Sequence, residues 1–359
     1  MMFCKWGLWI IVGLAALLIP AIIQAQDNSP TDNPEPMLIT AKTLPERVLL
    51  TGFDMVWQNP NRCSAAALTI QMSYYRDGLS YYTIIDALNP GPEDMSVRLD
   101  EMIALAETYN LNGIERMGGT IAMLKLLIAN GFPVLIENVY YDGDDVMRDW
   151  MSHNRVIMGY DDTLGVVYAF DSLRGNGDGT GLAFEYAYIE ERWRPLNRGY
   201  LVLYEPEDEA LLQAVLGDQW DATLNAEWSL QLAQADLAGV APDSFDYFNQ
   251  GMALAALGRY AEAAVAFDTA RAIGLPWRML WYQFGPLEAY LQIGRYQEVY
   301  TLTREVIAAA PGIEEMYYYI ARAYQGEGNT ERAIANLEAA LWRNPNYTAA
   351  AELLAELQG

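Results

Sequence analysis

The sequence predicts an α+β domain over residues 47–204, followed by an all-α helical repeat domain over residues 244–359. Three observations carry this prediction. Strand-like runs at 133–139, 155–160, 166–171 and 200–204 occur only before residue 205. Helical patterns come first and the strand cluster later, which suits an α+β arrangement. After residue 243 no strand pattern appears, and a glycine turn recurs at Gly258, Gly294 and Gly328.

Taken in order, residues 1–25 read as a signal peptide or N-terminal anchor. Lys5 precedes an apolar run over 6–23, and Gln24-Ala25 offers a small residue for cleavage. This places the protein outside the cytoplasm, secreted or anchored, and an uncleaved leader is its one expected tie to a membrane. Residues 26–46 read as a disordered tether, rich at first in Asn, Asp, Pro and Ser. Within the α+β domain, helices are expected at 64–75 behind an N-cap at Asn61, at 100–109, and at 121–130 ending before Gly131. Trp57, Tyr74, Tyr75, Trp193 and Tyr204 are expected in the core. Residues 205–243 form a helical connector.

The C-terminal part is repetitive. Leu257-Gly258-Arg259-Tyr260 returns as Ile293-Gly294-Arg295-Tyr296 and as Glu327-Gly328-Asn329-Thr330, with glycine spacings of 36 and 34. Pro276, Pro311 and Pro345 close the units. The first unit also carries Tyr247, Gly251, Ala263, Phe267 and Ala270, and the third Tyr324, Ala333 and Ala340, while the second has Val299 where alanine is usual. This is the period of tetratricopeptide helix pairs, in which three units suffice for a stack and 346–357 would cap it. The groove of such a stack is expected to bind a protein partner or a substrate segment. Of Tyr282, Tyr290, Tyr317, Tyr318, Tyr319 and Tyr324, part are expected in inter-helix packing and part on the concave face, and the sequence does not divide them.

Composition excludes several functions. A net charge of −25, with Lys only at 5, 42 and 125, speaks against nucleic acid. One histidine and, past the leader, one cysteine exclude a conventional zinc site. No P-loop or dinucleotide fingerprint occurs, and the glycine-rich stretch 175–181 fails EF-hand spacing and reads as a flexible turn. No cofactor or metal is expected.

Those two singular residues are Cys63, at the start of the first predicted helix, and His153, leading the strand Arg155-Val156-Ile157-Met158-Gly159-Tyr160-Asp161-Asp162. Alone, each reads more readily as a structural side chain. Together with Gln58 and with Asp171 in the run Val166-Val167-Tyr168-Ala169-Phe170-Asp171, they resemble the C39-like, papain-fold cysteine peptidases over about residues 50–204. The resemblance implies a papain-like α+β fold. It also implies a triad of Cys63, His153 and Asp171, with Gln58 as oxyanion donor, acting on a peptide or protein substrate. A thiol at a helix start is acidified by the helix dipole, and an orienting acid fixes the imidazole tautomer. Three residues depart from the family pattern: Ser64 and Ser152 stand in place of glycines, and Ser172 in place of a common proline. They leave open an alternative in which a catalytically silent papain-like domain serves with the repeats as an extracytoplasmic scaffold.

Overall fold

The computed structural model describes residues 38–91, 96–141 and 149–359. The leader and the tether as far as residue 37 lie outside the described residues. The first part of the chain runs β1 (Arg47–Leu49), α1 (Cys63–Ser73), α2 (Tyr81–Leu88), α3 (Leu99–Glu107), β2 (Asn112–Arg116), α4 (Ile121–Ala129) and β3 (Val134–Tyr141). It continues through β4 (Trp150–Asp161), β5 (Val166–Asp171), β6 (Leu182–Glu185), α5 (Tyr186–Trp193) and β7 (Tyr200–Tyr204). The strands pair antiparallel in the order β2-β7-β3-β4-β5-β6, with β1 added on β4.

Both faces of this sheet are covered, and each covering is dictated by apolar patterning. The Ala-rich α1 buries Ala65, Ala67, Leu68, Ile70 and Met72 against Leu135, Val156, Met158, Phe170 and Leu201. The opposite face packs Ile136, Ile157, Val167 and Tyr200 under Leu124, Leu127 and Ile128 of α4 and Trp193 of α5. Alternate residues of one strand therefore serve two cores, as the pleat requires.

Several local expectations need correction. Asn61 is not the N-cap of α1: it turns the chain in the left-handed region at φ 58°, which asparagine tolerates. Arg62 occupies the cap position with no side-chain cap bond. The tether also ends earlier than residue 46. The Ile39 N–H donates to the Asn130 Oδ1, the Tyr160 hydroxyl donates to the Pro45 carbonyl, and the Asp162 N–H donates to the Glu46 carbonyl. Trp193 and Tyr204 are buried, whereas Trp57 is 61% exposed, with its ring against Gly175. Periodicity does not announce α2 or β2, because each is short and packs its apolar residues on only a few partners.

The connector holds α6 (Glu209–Leu216) and α7 (Ala222–Leu237), and α7 packs along the first repeat helix. The repeats follow as α8 (Ser244–Ala256) with α9 (Tyr260–Ile273), α10 (Gly285–Gln292) with α11 (Tyr296–Ala309), and α12 (Glu314–Gly326) with α13 (Thr330–Arg343), closed by α14 (Thr348–Gln358). Gly258, Gly294 and Gly328 each turn a pair at positive φ, the conformation that fixes glycine there. Small residues let the pairs approach: a Cβ on Gly251 would stand 2.5 Å from the Phe267 ring.

The second pair is irregular. With repeats of about 35 residues its first helix is due near residue 279, yet α10 begins only at Gly285. A single 3-10 turn at Met279–Trp281 and a loop through Phe284 occupy the missing turns.

The repeat module docks on the α+β domain at three places. At its near end Arg194 pairs with Asp243 and Asp246. In the middle, the irregular loop meets the sheet: the rings of Trp150 and Tyr282 lie 5.8 Å apart, and Arg278 donates to the Trp150 carbonyl at 3.3 Å. At the far end Arg98 pairs with Glu315 at 3.1 Å and covers the Tyr347 ring. There Asn344 donates to Glu101 and Glu314, and Asn346 to the Ala87 carbonyl. Val139, Trp150 and Leu196 of the first part share one apolar core with Phe248, Phe267 and Tyr290 of the repeats.

Candidate active site

All four side chains singled out in the sequence meet at one place. Cys63 opens α1, His153 sits on β4, Asp171 ends β5, and Gln58 lies in the segment ahead of α1. The register of β4 on β5 places Arg155 opposite Asp171, two residues beyond His153. The Asp171 Oδ1 accepts from His153 Nε2 at 2.9 Å and from the backbone N–H groups of Leu173 and Arg174 at 2.9 and 3.2 Å. The other ring nitrogen of His153 is left for Cys63, whose thiol is hydrogen-bonded to the imidazole.

Electrostatics then poise the pair. Burial alone raises the Cys63 pKa, but the hydrogen bond and charge of His153 outweigh it, and the thiol ends below its ordinary value. Burial likewise pushes His153 down, and the bonds to Asp171 and Cys63 reverse the sign, so the imidazole ends above its ordinary value. A thiol moved down beside an imidazole moved up favours the thiolate–imidazolium pair, whose titration belongs to both groups. Asp171 is held well below the carboxylate range: burial raises it, and His153, Arg155 and two backbone donors more than offset that. The uncapped start of α1 adds free N–H groups beside the sulfur.

Sequence reasoning missed Arg155. Its guanidinium is fully buried, donates through Nε to Asp171 Oδ2 at 2.8 Å, and lies over the rings of Phe184 and Tyr188 at 4.8 and 5.8 Å. A charged residue at an inward strand position was the available signal. Asn154 was missed as well; its Nδ2 donates to Ser64 Oγ at 3.0 Å and approaches Cys63 Sγ at 3.8 Å.

Each of the three serines that break the family pattern takes part in this site. Ser64 receives the Asn154 amide, and its hydroxyl lowers the Cys63 pKa through a hydrogen bond. The Ser152 backbone bonds the Tyr282 hydroxyl from the repeat module. Ser172 donates to Gln58 Oε1 at 2.7 Å, and its carbonyl accepts the Gln58 backbone N–H at 3.2 Å. With Oε1 so engaged, the Nε2 of Gln58 is the end that points its donors elsewhere. Ser172→Ala is therefore expected to lower kcat about fivefold, the loss of one neutral orienting hydrogen bond of about 1 kcal/mol, with KM and Tm little changed. Gln58→Ala removes the donor itself, and its expected loss is about 10²-fold or more. Steady-state kinetics on both variants measures the two losses.

Cys63 faces a cavity of about 690 Å³ that both modules line. Gln58, Ser64, His153 and Asn154 line it from the α+β domain, and Trp281, Tyr282, Phe284 and Tyr319 line it from the repeat module. Among the described residues no group of three or more His, Cys, Asp or Glu could hold a metal ion.

A helix-borne cysteine, a strand-borne histidine and an aspartate on the next strand, on an antiparallel sheet, define the class of papain-like cysteine peptidase folds. Residues 50–200 match the Peptidase_C39 like family, so this part of the chain is a C39-like peptidase domain. Among solved structures, a protein described as a C39-like peptidase from Bacillus anthracis is 16% identical over 45% of this chain and 98% of its own, with a TM-score of 0.37. A double glycine motif protease from an AMS/PCAT transporter, in complex with the leader peptide, is 14% identical over 44% of this chain and 98% of its own, at a TM-score of 0.32. MamA residues 41 to the end from Desulfovibrio magneticus RS-1 is 24% identical over 37% of this chain and 75% of its own, at a TM-score of 0.34. No curated protein matches the chain.

Proposed function

We propose that the protein is an exported C39-like cysteine peptidase that hydrolyses peptide bonds at Cys63, with its repeat module forming one wall of the substrate cavity. The observation that carries this reading is the Cys63–His153–Asp171 chain, in which the thiol is displaced downward and the imidazole upward. The thiolate attacks the scissile carbonyl, and the oxyanion takes hydrogen bonds from Gln58 Nε2 and the Cys63 N–H. His153 gives its proton to the leaving amine, leaving a thioester on Cys63. Water then adds as His153 takes its proton, and the acid product departs as the thiol is restored. Export rests on the leader-like residues 1–25.

The test is the rate of Cys63 alkylation by iodoacetamide across pH, followed by incubation of wild type and Cys63→Ala with a peptide library read by mass spectrometry. Fast labelling persisting below about pH 7, well under an ordinary thiol near 8.5, is the expected result, together with cleavage products present only with wild type. An ordinary thiol profile with no products would replace this reading with that of a silent scaffold.

A further inference from the structure

The cavity beside Cys63 is lined by two acids, Glu115 and Glu137, whose carboxyls have no hydrogen-bond or ion-pair partner among the described residues. Of its lining carboxylates, Asp100 pairs with Arg98 and Glu288 with Arg322. Among the lining cations, Arg98 is engaged with Asp100, Glu101 and Glu315, and Arg116 spends its guanidinium on the Gln219 and Trp220 carbonyls. Glu137 on β3 has no hydrogen-bond or ion-pair partner for its carboxyl among the described residues. Burial first, and the charge of Glu115 on β2 second, push its pKa up to about 8, so a bound cation would draw off the proton that the empty site favours at neutral pH.

A second, independent acceptor stands next to it. Glu137 is the cross-strand partner of Asn154. The Asn154 side chain is 3% exposed and lines the cavity; its Nδ2 is committed to Ser64 and Cys63, while its Oδ1 accepts no hydrogen bond. Buried acceptors left without donors cost about 1–3 kcal/mol each, more if charged, and a ligand that supplies N–H groups recovers this. Two such acceptors in the wall of a cavity that aromatic rings also line suit a cation carried on a short apolar stem. The net charge of −25 adds a long-range pull on cationic peptides.

We propose that Glu137 and Asn154 form a subsite for an ammonium or guanidinium group of a short peptide whose scissile carbonyl lies at Cys63. This proposal rests on the peptidase reading for the placement of the carbonyl alone. The cation has two sources, a Lys or Arg side chain or a free peptide N-terminus, and the two share the chemistry that Glu137 recognises. A cavity of about 690 Å³ holds a peptide of a few residues and not a folded protein.

Calorimetry on the full-length Cys63→Ala protein tests the subsite without turnover. The probes are four pentapeptides of alanine with a central lysine or norleucine, each with a free or an acetylated N-terminus. Peptides carrying a cation are expected to bind at least about tenfold more tightly than acetylated norleucine peptide, and Glu137→Gln in the same background is expected to remove that difference. Preference for acetylated lysine peptide assigns the cation to the side chain; preference for free-amine norleucine peptide assigns it to the N-terminus. Equal binding of all four, binding of none, or a preference that survives Glu137→Gln overturns the proposal. Hydrolysis of the same peptides by wild type reports separately. Selective binding without cleavage sinks the peptidase reading and leaves the cation subsite standing, and cleavage without charge preference does the reverse.

Discussion

His153→Ala is expected to lower peptide hydrolysis by about 10²–10⁴-fold or more and to return Cys63 to an ordinary thiol. In the proposed mechanism the imidazole acts twice, first holding the thiolate and later moving a proton to the leaving amine, so one substitution removes both contributions. Two readouts separate them. The alkylation rate of Cys63 should shift its pH dependence upward, because burial then acts on the thiol without the compensating charge of His153. Turnover should fall further than alkylation does, because alkylation needs no proton donor. Fold should survive, since the imidazole lies past the end of β5 beside the cavity and is a member of neither apolar core. Unchanged alkylation in the variant would mean that His153 does not activate the sulfur.

Asp171→Asn is expected to cost about 3–5 kcal/mol of stability, because it strands the fully buried guanidinium of Arg155. The sign of the pH dependence follows from the depressed carboxyl. A group held below its ordinary value of 3.8 stabilises the fold above that pH, and the contribution is lost as pH falls through the lower folded value. Chemical denaturation should thus show a wide gap between wild type and variant at neutral pH that narrows below about pH 4. Arg155→Met in the Asp171→Asn background should recover a large part of the loss, since a buried pair replaced by neutral groups is often tolerated. Full additivity of the two substitutions would show that Asp171 and Arg155 do not act as a unit. Activity should not return with stability, because the asparagine still presents the wrong partner to His153.

How much of this was legible in the sequence follows from the range of the interactions involved. Strands β3, β4, β5 and β7 were readable because each carries its own apolar run, and the repeats because a glycine turn at fixed spacing is a local signal. Cys63, His153, Asp171 and Gln58 could be placed because each has a recognisable neighbourhood, with Cys63 opening a helix and Asp171 ending a strand. Arg155 could not, since its meaning depends on a register that sets it opposite Asp171 on another strand. The cap of α1 was misread because Asn61 satisfies a turn instead of a helix end. The wall of the cavity was invisible for a different reason. Tyr282 is more than two hundred residues from Cys63, and only the docking of the repeats brings it to Ser152. Even so, the weakness of the second repeat was visible in the sequence, and the structure gives the reason: its missing helical turns are the loop that enters the site.

That late-starting α10 bears on when the protein becomes a reagent. The cavity wall carrying Trp281, Tyr282 and Phe284 sits on this loop, between the first repeat and the far repeat that is latched through Arg98, Glu315 and Asn344. A chain whose C-terminal repeats are not yet folded has Cys63 but not the chamber around it. In the proposed peptidase, a complete site thus requires residues near the C-terminal end to meet helices near the beginning, and a chain without those contacts lacks the chamber its chemistry would use.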